Sequence, residues 1–135
     1  FMTLFYGVLD AESRTLQWVS GGHDPALWLR QASGRIDELP NTGMVLGVLA
    51  DATFDQDGPV TLDAGDVVLI GTDGIWEAAN PADEMFGKQR LKDVLARCAD
   101  MPAADIHAAV VAAVTDFRAA APQKDDITLV VIKGV

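Results

Sequence analysis

The sequence predicts an α+β layered domain of mostly antiparallel strands, with two late helices packed on one face. Three observations predict it: β-prone runs separated by turn residues fill the front of the chain, two stretches with apolar residues at helical spacing follow, and a β-prone run closes it. A length of 135 residues buries one core and too little surface for two, so residues 1–135 are read as one domain or part of one.

The front is read as hairpins. Residues 3–9 and 15–20 are β-prone and flank the polar turn Asp10-Ala11-Glu12-Ser13-Arg14, and Gly21-Gly22-His23-Asp24-Pro25 ends the second run. Ala26–Arg30 turns through Ser33-Gly34 toward Arg35–Leu39, again at hairpin spacing. After Pro40–Gly43 come the apolar Met44–Leu49, a polar stretch ending in Val60-Thr61-Leu62, and the turn Asp63-Ala64-Gly65-Asp66. Val67-Val68-Leu69-Ile70 is apolar without alternation, which predicts a strand covered on both faces.

Asn80-Pro81 with Asp83 and Glu84 resembles a helix start, since proline is tolerated in the first turn and carboxylates complement the helix dipole there. Beyond Gly87, Leu91, Val94, Leu95 and Cys98 share one face, and after Pro102 so do Ile106, Val110, Val114 and Phe117. Both faces are expected against the sheet. Ile127–Ile132 is the closing strand.

Composition narrows the function classes. Twenty acidic against ten basic residues give a net charge of −10, which repels nucleic-acid phosphates and anionic membranes. No apolar run approaches the ~20 residues of a membrane span, so a soluble protein is expected. Cys98 is the only cysteine, which excludes an intrachain disulfide and is compatible with a reducing, cytoplasmic compartment. The opening residues lack the pattern of a signal peptide and read as a strand without a cap, as if the chain were cut from a longer protein.

Asp73 lies where the buried strand ends, in Gly71-Thr72-Asp73-Gly74, and Asp125 and Asp126 lie where the last strand begins. If those strands pair antiparallel, their carboxylates gather at one sheet edge, where like charges repel unless a proton or cation intervenes. Mg²⁺ or Mn²⁺ suits an all-oxygen site. Asp-Gly and Asp-Asp also occur as plain turns, so spacing alone leaves both readings open.

The run Ala64–Ala78, followed by Asn80-Pro81 and Phe86-Gly87, resembles the bacterial SpoIIE branch of the PPM (2C-type) serine/threonine phosphatases. So do Asp125–Val131, Phe5–Asp10, Gly22-His23-Asp24-Pro25 and Met44–Val48, in the same order, so the likeness spans essentially the whole chain. The resemblance implies a layered α-β-β-α sandwich with two metal ions, Mn²⁺ or Mg²⁺, between acidic loops at one end. It implies a metal-activated water, with no protein nucleophile, attacking a phosphoserine or phosphothreonine. By that likeness Asp73 and Asp125 ligate metal, with Gly74 and Asp126 supporting. It further implies a phosphoprotein partner such as an anti-sigma-factor antagonist, and it is compatible with an N-terminal regulatory domain and a homodimer. The family's early Gly-Asp-Val-x-Gly-His-Gly-type motif, which supplies the bridging aspartate, would lie before Phe1. This chain is therefore expected to hold part of the domain and part of the site, and to have little activity alone.

Plainer roles compete at each further position. His23 is read as fixing its turn through a backbone hydrogen bond rather than as a general acid. Trp18 and Trp28 are read as core, Trp76 as packing near the site, Glu77 as able to orient a water, and Asn80 as a helix cap. Lys88, Arg90, Lys92 and Arg97 form either a basic patch for a phosphoprotein or a solvated helix face. Against the phosphatase stand an inactive phosphatase fold that binds or senses a partner, and a purely structural domain.

Overall fold

A computed structural model describes all of residues 1–135. The strands are β1 (Leu4–Asp10), β2 (Thr15–Gly21), β3 (Ala26–Leu29), β4 (Ile36–Leu39), β5 (Asp57–Thr61), β6 (Val67–Gly71) and β7 (Leu129–Lys133). Helices α1 (Gly87–Cys98) and α2 (Ala103–Arg118) lie between β6 and β7. Two antiparallel sheets result, one ordered β1-β2-β5 and the other β4-β3-β6-β7.

The polar turn after β1 closes through the Asp10 carboxylate, which accepts the amides of Glu12 and Ser13 at 2.9 Å each. This fixes a register that sets Phe5 opposite Ser20, Gly7 opposite Trp18 and Leu9 opposite Leu16. Because side chains alternate across a strand, Leu16 and Trp18 face the second sheet together. They meet Ala26, Trp28, Leu39, Leu62 and Val68 in the core between the sheets.

The other faces of β3 and β6 present Leu27, Leu29, Val67 and Leu69 to a second core. There α1 contributes Leu91, Val94, Leu95 and Cys98, and α2 contributes Ile106, Val110 and Val114, as their spacing predicts. Burial of each such side chain is worth about 1.5–3 kcal/mol, which holds the two helices on the sheet. The layers are thus helices, four-stranded sheet and three-stranded sheet. The uncovered face of the latter carries the exposed Leu4, Tyr6 and Val8.

Of three details, two differ from expectation and one bears on an open alternative. The first helix begins at Gly87, not near Asn80. Asn80 spends its side chain on a loop: Oδ1 accepts the amides of Ala82 and Glu84 at 3.0 Å each, and Nδ2 donates to Glu84 at 2.8 Å. These local bonds compete with a helical turn, and Gly87, at φ +81°, turns the backbone at the first residue of α1. Second, three of the four basic residues of α1 are engaged by the fold, while Arg97 stays exposed. Lys88 pairs with Asp24 at 2.7 Å, Lys92 pairs with Glu38 at 2.9 Å, and Arg90 donates to the carbonyls of Met85 and Phe86 while lying over the Phe117 ring. Third, the His23 ring meets the Thr3 hydroxyl, with Nδ1 3.3 Å from Oγ1, rather than a backbone group.

Trp18 and Trp28 are core residues, as expected. The Trp28 indole donates to the buried Asp66 at 3.1 Å, and Asp66 also accepts the amides of Gln31 and Asp63. Buried Cys98 has its thiol pKa raised, chiefly because burial penalises the thiolate. No helix is long and apolar enough to cross a membrane.

Candidate functional site

The register of the four-stranded sheet decides which loops meet. β3 and β7 begin, and β4 and β6 end, at the same edge. That edge therefore gathers the His23-Asp24 turn, the loop after Leu39, the turn holding Asp73 and the segment before Leu129. The antiparallel pairing of β6 with β7 sets Gly71 opposite Leu129.

Beyond that last pair the backbones stay joined. The Thr72 amide donates to the Thr128 carbonyl at 3.1 Å, the Thr128 amide donates to Thr72 Oγ1 at 3.0 Å, and that hydroxyl donates to the Asp126 carbonyl at 3.2 Å. Gly74 then presses directly on the other turn. A Cβ placed there would stand 2.3 Å from the Asp126 carbonyl oxygen and 3.0 Å from its carbon. Only a residue without a side chain lets the Asp73 turn and the Asp125-Asp126 turn lie so close.

Each turn has its own support. The Ile75 amide bonds the Thr72 carbonyl at 3.0 Å, the Glu77 amide bonds the Asp73 carbonyl at 2.8 Å, and the Ile75 side chain is fully buried beneath. Asp125 Oδ1 accepts the Asp126 amide at 2.7 Å, and the Asp125 carbonyl accepts Gln123 Nε2 at 2.9 Å. Asp73, Asp125 and Asp126 are all exposed. None joins any of the five ion pairs in the chain.

These carboxylates are hard oxygen donors on a braced backbone, without a protein cation to offset them, and such a donor set fits Mg²⁺ or Mn²⁺. The chain groups no three His, Cys, Asp or Glu side chains so as to hold a metal ion. The paired turns offer exposed carboxylates rather than a closed ligand set.

A cleft of about 270 Å³ opens beside the paired turns, with Gly74 and Asp125 in its lining. Glu77 and Asp83 line it from the loop after β6, Arg118 from the last turn of α2, and Lys124 from the connection between α2 and β7. Asn80 lies outside that lining, bound to its own loop. Trp76 packs against the helix-side core and carries Lys88 Nζ 4.7 Å above its ring, so it braces the site rather than opening onto the cleft. Sequence reasoning missed Thr72 as the hinge between the turns. A hydroxyl residue placed just before the aspartate at a strand end was its only signal. It also missed Arg118 and Lys124, although Lys124 directly precedes Asp125.

A family model described as Stage II sporulation protein E (SpoIIE) matches residues 1–134. Among curated proteins, Protein IcfG of Synechocystis sp. (strain ATCC 27184 / PCC 6803 / Kazusa) is 35% identical over 95 residues, covering 70% of this chain and 15% of IcfG. The Mn-presoaked structure of the phosphatase domain of the cell fate determinant SpoIIE from Bacillus subtilis aligns with a TM-score of 0.70 and 18% identity, covering 98% of this chain and 56% of that one. The SiaA-PP2C domain of Pseudomonas aeruginosa aligns with a TM-score of 0.73 and 23% identity, covering 93% of this chain and 48% of that one. The chain thus spans about half of each of these two structures and a small part of IcfG.

Proposed function

This chain belongs to the SpoIIE family of PPM (2C-type) phosphatase domains, and from that membership we propose that it is part of a metal-dependent phosphatase acting on phosphoserine or phosphothreonine of a protein partner. The observation that carries the proposal is the contact of Gly74 with the Asp125-Asp126 peptide, which sets two uncompensated acidic turns side by side. Asp73 and Asp125 would hold Mn²⁺ or Mg²⁺, with two ions in the complete domain. Bound metal supplies activation of water for attack on phosphorus and neutralisation of charge on the phosphoryl oxygens. The chain's own contribution is placement: Thr72 ties the turns, Gly74 lets them touch, and the Asp126 amide orients the Asp125 carboxylate. A cytoplasmic signalling role, with a regulatory domain and an anti-sigma-factor antagonist as substrate, is the setting we propose for it.

The test uses the full-length protein, a phosphoserine peptide and Mn²⁺. Asp73→Asn and Asp125→Asn should each lower the turnover number by about 100-fold or more, as expected when a charge-stabilising group is lost from the reacting centre. Each should also weaken Mn²⁺ binding by calorimetry. Undiminished turnover in Asp73→Asn would remove Asp73 from the mechanism. A second reading, a phosphatase fold that binds or senses a partner without catalysis, is favoured by the lack of a three-ligand group in this chain. A full-length protein that binds its partner but shows neither Mn²⁺ uptake nor turnover would establish it.

A further inference from the structure

The cleft beside Asp125 has two unlike walls. Glu77 and Asp83 project from one loop, while Arg118 projects from the last turn of α2 and Lys124 from the connection that leads into Asp125. Across it Lys124 Nζ pairs with Asp83 Oδ1 at 3.1 Å, the two side chains being 67% and 85% exposed. So exposed a pair contributes little, and an incoming carboxylate can take Lys124 from Asp83 at small cost. Arg118 keeps Nη1 on the Ala121 carbonyl at 2.7 Å, which fixes the side chain and leaves other guanidinium donors for the cleft.

These cations stand out in a chain of net charge −10. On α1, Lys88, Arg90 and Lys92 are committed to bracing the fold. Arg118 and Lys124 are the basic residues that border the cleft. A volume of about 270 Å³ is near the lower end for a ligand site and has room for a short peptide segment. A phosphorylated residue seated at Asp73 and Asp125 would bring its neighbour in sequence toward Lys124, which directly precedes Asp125.

We propose that this cleft receives the residue flanking the phosphorylated serine or threonine, and that Lys124, with Arg118, selects an acidic side chain there. The proposal rests on the phosphatase reading above. It assigns Asp83 the part of a competitor that occupies Lys124 until substrate arrives.

The test compares phosphoserine peptides carrying Asp, Ala or Lys beside the phosphoserine, on either side, with the full-length protein and Mn²⁺. Each kcat/KM is divided by the same variant's rate on p-nitrophenyl phosphate, which is too small to reach both the reacting centre and the cleft. Binding of non-hydrolysable phosphonate peptides, followed by fluorescence anisotropy, gives a readout independent of turnover. The wild type should prefer Asp to Lys. Lys124→Glu should cut that preference by about fivefold or more, mainly in KM, and Asp83→Asn should raise it by about twofold, the scale expected for exposed charge pairs. A preference that moves in neither variant, or moves the same way in both, overturns the selectivity proposal even if p-nitrophenyl phosphate is hydrolysed. A full-length protein that hydrolyses neither p-nitrophenyl phosphate nor any peptide overturns the phosphatase reading itself, and this proposal with it.

Discussion

Gly74 shows how much one missing side chain can decide. The atoms a Cβ would strike belong to the Asp125-Asp126 backbone rather than to a flexible side chain, so one of the two turns must yield. Gly74→Ala should cost about 1–3 kcal/mol in chemical denaturation, the usual range for forced overpacking, and should weaken Mn²⁺ binding by the full-length protein. Asp10 acts at the opposite end of β1. The Ser13 amide, then the Glu12 amide and the Ser13 hydroxyl, hold its carboxyl below the ordinary value of 3.8. A folded pKa depressed below the unfolded one gives a contribution present above the unfolded value and lost as pH falls through the folded one. Near neutral pH wild type should therefore be more stable than Asp10→Asn, and the two should converge in acid. The clearer measure is direct: the Asp10 carboxyl should titrate below 3.8 by NMR, and the difference in stability between wild type and Asp10→Asn should shrink as pH drops through that range.

Among the elements, those whose burial follows one rule were legible in the sequence. The unbroken apolar run of β6 required cover on both faces, and the sheets and helices supply it. The stripes of α1 and α2 required a sheet, and the four-stranded sheet meets them. The start of α1 was not legible, because Asn80, Pro81 and the acidic residues after them satisfy the preferences of a helix start and of a closed loop equally well. The loop wins through contacts made at a distance in sequence: the Phe86 amide bonds Ala78 and the Gly87 amide bonds Trp76. The α1 cations were ambiguous for the same reason. Their partners Asp24 and Glu38 are remote in the chain and come near only when the helix docks. At the site, the meeting of the two turns that carry Asp73 and Asp125 could be read from strand order alone. Thr72 and Lys124 could not, since each depends on which way a turn points its side chain.

At the scale of the whole molecule, the candidate site straddles the seam between β6, inside its sheet, and β7, at the sheet's edge in this chain. The two ends of that seam are secured unequally. Far from the site, Lys133 Nζ donates to the carbonyls of Ala99 and Met101 at 2.6 and 2.7 Å, and Gly134 exchanges backbone hydrogen bonds with Gly65 and Asp66. At the site end the seam continues only through Thr72, Asp126 and Thr128, all close to solvent. Strands held by exposed hydrogen bonds open locally at free energies well below global unfolding. Native-state hydrogen exchange should find protection along β7 falling from Lys133 toward Leu129, with β3 and β6 outlasting both; uniform protection along β7 would contradict this. The seam then behaves as a zipper fastened at the far end and free at the near one. Asp125 would part from Asp73 by the fraying of a few residues, at the loss of the Ile127 and Leu129 contacts but with the fully buried members of both cores left in place.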